Sequence, residues 1–164
     1  MSAELHRPVA VERIGPGGLA VEVRAGEAER AALAVRMGIP ALGELVCSFR
    51  LNAAGQGTVL AEGHLRAVAV RVCVLTLDEF EATTEERFRL RFVPAGQESD
   101  DDDPESDDEI AYVGGMLDLG EAAAEQLALA LDPYPRKPDA RLLGAAEDPP
   151  GFPFAALAPL ARRR

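Results

Sequence analysis

The chain is poor in the residues that make an aromatic surface, a disulfide framework or a membrane anchor. It has no Trp, 5% aromatic residues and two cysteines, Cys47 and Cys73, among 164 residues. Its most apolar stretch, residues 67–77, is interrupted by Arg71 and is much shorter than the roughly 20 residues of a spanning helix. Residues 1–8 carry charge and no apolar run, unlike a signal peptide. We therefore expect a cytoplasmic protein with reduced, buried thiols and a core of Leu, Val and Ala.

Sequence motifs of catalysis, metal binding and phosphate binding are also missing. There is no G-x-S-x-G elbow, and the four serines have no evident base. Two cysteines 26 positions apart and two isolated histidines, His6 and His64, do not have the spacing of a zinc site. The alternative, a small hydrolase, would need a preorganised pocket whose titratable groups have shifted pKa values. We therefore predict a protein without enzymatic activity, metal or cofactor.

The net charge of −11 is concentrated in one segment. Residues 98–109 hold nine acidic side chains and no basic one, whereas the rest of the chain holds 19 acidic and 17 basic ones. Like charges repel and add nothing to a core, so we predict a mobile acidic loop at 98–109. The body is then nearly neutral, and the total charge does not exclude nucleic acid as a partner. All basic residues but Lys137 are arginines, which bind phosphate well, although a GC-rich genome gives the same bias.

The first third of the chain predicts two short strands and a helix. Residues 6–14 and 19–24 are typical of strands joined by the turn Gly15-Pro16-Gly17-Gly18, as a hairpin or as a loop. Residues 27–37 are rich in helix formers and are followed by Gly38, a residue that commonly ends helices.

The middle of the chain alternates polar and apolar residues with the period of a strand. Strands are expected from Ala41 onward, over 58–77 with a bend near Gly63, and over 80–93. Short turns between them predict an antiparallel meander.

The last part of the chain predicts one more strand and one more helix. Residues 110–117 are a possible strand, and residues 119–131 a helix. Asp118 and Glu121 have the spacing of a capping box, in which each side chain bonds a backbone N–H near the helix start.

Together these elements predict a single α+β domain over residues 1–164. Its architecture is an antiparallel β meander, or an open barrel-like sheet, packed with two helices. The acidic loop at 98–109 interrupts this domain, and residues 136–164 form a loosely ordered C-terminal segment.

One row of side chains is a candidate nucleic-acid contact. The strand at 80–93 places three arginines on one face and three apolar residues on the other. The arginines are Arg87, Arg89 and Arg91, and the apolar residues are Phe88, Leu90 and Phe92. Guanidinium groups about 6 to 7 Å apart roughly match phosphate spacing. The alternative is the ordinary solvent face of an amphipathic strand. Because aromatics are missing from that face, any contact would be through shape and charge.

Three separated blocks of the sequence form a wider pattern. The first block runs from Cys73 to Phe80 and continues into the strand that ends at Pro94. The second is the acidic stretch that leads to Leu117-Asp118-Leu119, together with the helix after it. The third is segment 153–160, which basic residues follow. In this order and spacing, across about residues 40–164, they resemble the YceD family, the large ribosomal RNA subunit accumulation proteins of bacteria and plastids.

The resemblance implies a role in the accumulation or processing of large-subunit ribosomal RNA, without known enzymatic activity. Many relatives have a second cysteine three positions after the one that matches Cys73, where this chain has Thr76. This departure removes the case for a shared thiol or metal site.

Two functional hypotheses follow. In the first, the chain is a ribosome biogenesis factor that binds large-subunit ribosomal RNA or a precursor particle through Arg87, Arg89 and Arg91. In the second, the acidic loop escorts a basic ribosomal protein and the chain touches no RNA. The partner-binding residues would then be Asp100, Asp101, Asp102, Asp103, Asp107 and Asp108. The sequence does not decide between RNA and protein as the direct partner, nor does it show the oligomeric state.

Overall fold

The computed structural model describes residues 4–99 and 107–141. Over these residues the chain forms seven strands and two α-helices. The strands are β1 (Pro8–Ala10), β2 (Leu19–Arg24), β3 (Ala41–Gly55), β4 (Thr58–Val72), β5 (Glu79–Pro94), β6 (Asp108–Tyr112) and β7 (Met116–Asp118). The helices are α1 (Glu27–Met37) and α2 (Leu119–Ala130).

Strands β2 to β6 form one open sheet in sequence order. Strands β3, β4 and β5 pair antiparallel, so the predicted meander is confirmed. Strand β2 adds antiparallel to β3, and β6 adds parallel to β5 on its outer edge. The predicted α+β class, an open sheet with two helices, is confirmed. The parallel strand was not predicted, because its partner is chosen by contacts after the acidic segment and not by a local turn.

The covered face of this sheet carries the core. Helix α1 packs on β3, and α2 packs on β4 and β5. The largest fully buried side chains are mainly leucines, joined by Phe92, Val23 and Val59. The expectation of an aliphatic core is therefore confirmed. Cys47 is buried within it, and both cysteines are free thiols.

Gly63 provides space for an aromatic ring and does not form a bulge. Pairing between β4 and β5 is continuous through this residue, whereas β3 and β4 shift register at Leu42/Glu44 and Ala53/Gly55. A Cβ on Gly63 would lie 2.1 Å from Phe88 Cζ. The Phe88 ring also packs edge to face on Phe49, with centroids 5.7 Å apart. The continuous register excludes a bulge at Gly63 and does not test the predicted bend.

The predicted N-terminal hairpin is wrong, and the loop alternative is correct. Strand β1 is only three residues long and is followed by the 3-10 turn Val11–Arg13. It pairs antiparallel with β7, more than 100 residues later, and not with β2. The glycine run gives a local turn, in which the Gly18 N–H donates to the Gly15 carbonyl at 2.9 Å.

Helix α1 begins and ends where the sequence predicts. Glu29 accepts a hydrogen bond from the Gly26 N–H at 2.7 Å at its start. Gly38 ends the helix in the left-handed conformation, with φ of 63°.

Helix α2 is capped by Asp118 as predicted, but Glu121 does not complete a capping box. Asp118 Oδ1 accepts from the backbone N–H groups of Gly120 and Glu121. Glu121 instead forms a two-bond contact with Arg36 of α1, at 2.7 and 3.0 Å. Asp118 also accepts from the Arg7 N–H and lies 2.5 Å from His6 Nδ1, so it fixes the N-terminal segment against the helix.

Three predicted boundaries change. Strand β4 ends at Val72 and not at residue 77, because a turn follows in which the Leu77 N–H donates to the Cys73 carbonyl. The predicted strand at 110–117 divides into β6 and β7 at Gly114 and Gly115, which have φ of 65° and 69°. The predicted acidic loop overlaps β6, since that strand begins at Asp108.

Candidate nucleic-acid interface

The arginine row, Arg87, Arg89 and Arg91, lies on the face of the sheet that the helices do not cover. We call this the solvent face. Arg87 and Arg89 are exposed, and Arg91 is half-buried. On the opposite face of β5, Leu90 and Phe92 are buried. The predicted alternation along this strand is confirmed.

Strand β6 and the residue before it bring two acidic side chains to the row. Its parallel register places Glu109 beside Arg91, and Glu109 Oε1 lies 3.5 Å from an Arg91 terminal nitrogen. Asp107 Oδ1 lies 3.7 Å from Arg89 Nε. These pairs were not predicted, because both acids lie in the segment predicted to be a mobile loop.

Arg87 is the most accessible member of the row. It lies opposite His64 on β4, and no carboxylate of the described residues forms a salt bridge with it. A shallow depression of about 610 Å³ adjoins it. Its lining residues are Glu62, Gly63, Arg87, Phe88, Arg89, Asp107 and Asp108. A phosphate in this depression would meet the guanidinium groups of Arg87 and Arg89 and also the carboxylates that line it from β4 and β6.

The part of the solvent face beside the arginine row is balanced in charge. Glu62 lies between Arg50 of β3 and Arg89 of β5 in the cross-strand register. Arg66 bonds Glu44 and lies 3.5 Å from Glu85. In this part of the face, positive and negative side chains alternate. The cationic surface is therefore narrow and centred on Arg87.

The acidic side chains predicted to bind a partner are described only in part. Asp107 and Asp108 lie at the start of β6, beside the arginine row. Asp100, Asp101, Asp102 and Asp103 lie outside the described residues. The structure brings Asp107 and Asp108 next to the arginine row, which no local sequence pattern indicated.

The two cysteines are both buried, but the pKa values of their thiols shift in opposite directions. Burial raises the pKa of Cys47 to about 12. A hydrogen bond with the Thr76 side chain is the main cause that lowers the pKa of Cys73 to about 7, with further bonds from backbone N–H groups including that of Lys137. Cys73 lies beneath the turn after β4 and borders a groove of about 670 Å³. The signal for this site was the Cys73-x-x-Thr76 spacing, which sequence analysis read only as a departure from the family pattern.

Clusters of metal ligands and membrane-spanning helices are absent from the part of the chain that the structure describes. Residues 4–99 and 107–141 contain no group of three or more His, Cys, Asp or Glu side chains arranged to hold a metal ion. Neither helix in these ranges is long and apolar enough to cross a membrane.

An open five-stranded sheet, with helices on one face and an arginine row on the other, defines a small α+β protein with a charged sheet surface. The family model described as large ribosomal RNA subunit accumulation protein YceD matches residues 61–151, which is more than half of the chain. The chain belongs to the YceD family. Its description links the chain to the accumulation of large-subunit ribosomal RNA.

The matched region begins in β4 and contains the arginine row, the acidic segment and α2. The third block of the sequence pattern, residues 153–160, lies beyond both the match and the described residues. Searches of curated proteins and of solved structures gave no match.

Proposed function

We propose that this chain is a non-enzymatic ribosome biogenesis factor of the cytoplasm that binds large-subunit ribosomal RNA or a precursor particle. Family membership supports a role in the accumulation of large-subunit ribosomal RNA. The observation that supports RNA as the direct partner is the exposed Arg87, next to Arg89 and Arg91 on one strand. Arginine forks bind phosphate in bidentate geometry, and the rigid strand holds them at a regular spacing.

The carboxylates beside the row act as competitors for the RNA phosphates. The contacts from Asp107 and Glu109 to the arginines are 3.7 and 3.5 Å long. The arginine side chains of these pairs are 69% and 41% exposed, so water and salt reach the pairs and each contributes little. A phosphate can therefore replace them, and binding would be weak at Arg91 and strongest at Arg87.

The test is a triple substitution, Arg87→Ala with Arg89→Ala and Arg91→Ala. Precursor-particle association should weaken. The plot of log affinity against log salt has a negative slope, and its magnitude should decrease by about 2 to 3, since each phosphate contact contributes close to one unit. The matched control is Arg13→Ala with Arg136→Ala and Arg141→Ala, which removes the same charge from exposed positions away from the row. Equal affinity and slope for both triple variants would exclude the row as the RNA contact.

A second candidate function is the escort of a basic ribosomal protein by the acidic segment. It is favoured by the position of Asp107 and Glu109, which anchor one end of that segment beside β5. Here the acidic residues bind the basic partner, and the arginine row serves to hold the segment in place.

An experiment on the acidic segment separates these functions, and the position of β6 decides which residues to replace. Deleting residues 98–109 would remove part of β6, so residues 100–106 should instead be replaced by Gly and Ser in equal number. The RNA model predicts higher RNA affinity because repulsion is reduced. The escort model predicts loss of a protein partner. Affinity purification from growing cells, with and without RNase, measures both outcomes.

A further inference from the structure

Strand β5 has a second neighbour along only part of its length. Strand β4 pairs with it from Glu79 to Phe92, but β6 pairs with it only from Leu90 to Pro94. None of the described strands pairs with the outer side of residues 79–86. We call these eight residues the open edge. Outward N–H and C=O groups of such an edge can pair with an added strand.

The open edge lacks three of the features that block strand addition, namely Pro, Lys and a bulge, and retains only acidic charge. It contains no Pro and no Lys, and its register with β4 shows no bulge. Natural edge strands generally carry at least one of these features, or are covered by another element. The charged side chains of this edge are all acidic.

Four of the eight residues of the open edge are glutamates. Glu85 has a cationic neighbour, since Arg66 Nε lies 3.5 Å away. Glu79 and Glu81 lie opposite valines of β4, and neither forms a salt bridge within the described residues; the same holds for Glu86. All four side chains are exposed. The edge therefore attracts positive charge along its length and repels negative charge.

The two faces of the open edge differ. The glutamates at 79, 81 and 85 share the solvent face, whereas Phe80, Ala82 and Thr84 lie on the other face and are half-buried. A strand added here gains most if basic residues alternate with small apolar ones, because side chains opposite each other on one face interact directly.

A second copy of this chain is a poor occupant. Antiparallel pairing of two open edges about Thr83 would place Glu81 of one copy opposite Glu85 of the other, and like charges directly opposite destabilise a sheet. Both copies would also carry the net charge of −11. Charge thus favours a foreign, basic segment.

We propose that the open edge binds an extended, basic segment of a partner protein as an added β-strand. This surface is separate from the arginine row, and it is tested independently of RNA binding.

The test uses the full chain and a labelled peptide of ten residues in which Arg and Val alternate. Binding should protect backbone amides within residues 79–86 from hydrogen exchange. Glu79→Lys with Glu81→Lys should weaken binding by about tenfold or more, since two attractive contacts become repulsive. The same variant should gain affinity for a peptide of alternating Glu and Val.

Two controls separate strand addition from general attraction. Glu12→Lys with Glu27→Lys makes the same charge change at exposed positions outside the open edge and should keep peptide affinity within about twofold. The Arg-Val peptide with alternate amides N-methylated cannot pair along one side and should bind much more weakly.

Several outcomes would overturn the proposal. These are no binding of the Arg-Val peptide, binding without protection at 79–86, or equal loss in both double-lysine variants. Protection in the free chain that disappears on removing residues 142–164 would make the chain's own terminus the occupant. Protection that grows with protein concentration would indicate a second copy, and displacement of the peptide from the open edge by single-stranded RNA would indicate a nucleic-acid site.

Discussion

The two halves of β5 share one alternating pattern but lie in different surroundings. In the half over residues 88–94, β4 pairs as far as Phe92 and β6 pairs from Leu90 onward, and the side chains of Leu90 and Phe92 are buried. Residues 79–86 have β4 alone, and their inward side chains are half-buried or, at Glu86, exposed. The pattern of alternation sets which side of the strand each residue faces. What covers each face is set by elements elsewhere in the chain.

The same difference separates the two charged surfaces. Arginines of the covered half face carboxylates from β6. Three glutamates of the open half lack an ionic partner within the described residues. One strand therefore supplies a cationic surface, partly neutralised, and an anionic edge that stays available.

The largest expected effect comes from removing a core side chain of the covered half. Phe92→Ala should lower the free energy of unfolding by about 3 to 5 kcal/mol, because it deletes a fully buried ring. Phe80→Ala in the open half should cost less than about 2 kcal/mol, since its ring is already partly in water. Urea denaturation of both variants measures the difference. Equal losses would mean that the open half is covered in solution.

The next effect is expected at Gly63, at the junction of the two halves. Gly63→Ala places a methyl group 2.1 Å from the present position of the Phe88 ring, and forcing the ring aside should cost about 1 to 3 kcal/mol. In a Phe88→Ala background the same change should cost little. A double-mutant cycle by denaturation gives the coupling, and a coupling near zero would contradict the packing role of this glycine.

The structural features that the sequence could predict are those set by the chemistry of neighbouring residues. The limits of α1 follow from helix formers and Gly38, and the cap of α2 follows from Asp118. The alternation in β5 follows from side-chain period. Each of these signals acts within a few residues, so one sequence carries it fully.

The parts that sequence could not predict depend on distant contacts. Strand β1 pairs with β7 because Asp118 anchors the N-terminal segment, and this cannot be read from the residues of β1. The pairing of Glu109 with Arg91 requires the parallel addition of β6. Charge pattern alone placed Glu109 in a mobile loop, since it gives no weight to the apolar residues that follow.

A smaller effect is expected from the carboxylates that face the arginine row. Asp107→Asn with Glu109→Gln should change the free energy of unfolding by less than about 1 kcal/mol, because the contacts are 3.7 and 3.5 Å long and their arginines lie open to solvent. If the row binds RNA, affinity should rise at low salt, and the gain should shrink as salt screens the charges. Filter binding against salt measures this. A large loss of stability would show that the acids hold β6 in place.

The smallest expected effect compares Cys73, at the turn that precedes the open half, with Cys47 in the core. Cys73, with a pKa of about 7, should form a thiolate near neutral pH, whereas Cys47, with a pKa of about 12, should not. Absorbance at 240 nm against pH, with Cys73→Ala as reference, should therefore show one transition near pH 7. Thr76→Val removes the main stabilising hydrogen bond and should move it towards the ordinary value of about 8.5.

The same thiol gives a pH dependence of stability with a definite sign. Because folding lowers the pKa of Cys73, its contribution is fully present above the unfolded value of about 8.5 and is lost as pH falls through about 7. Between these limits the free energy of unfolding should rise with pH in the wild type more steeply than in Cys73→Ala. Parallel curves for the two proteins would show that the Thr76 contact does not stabilise the thiolate.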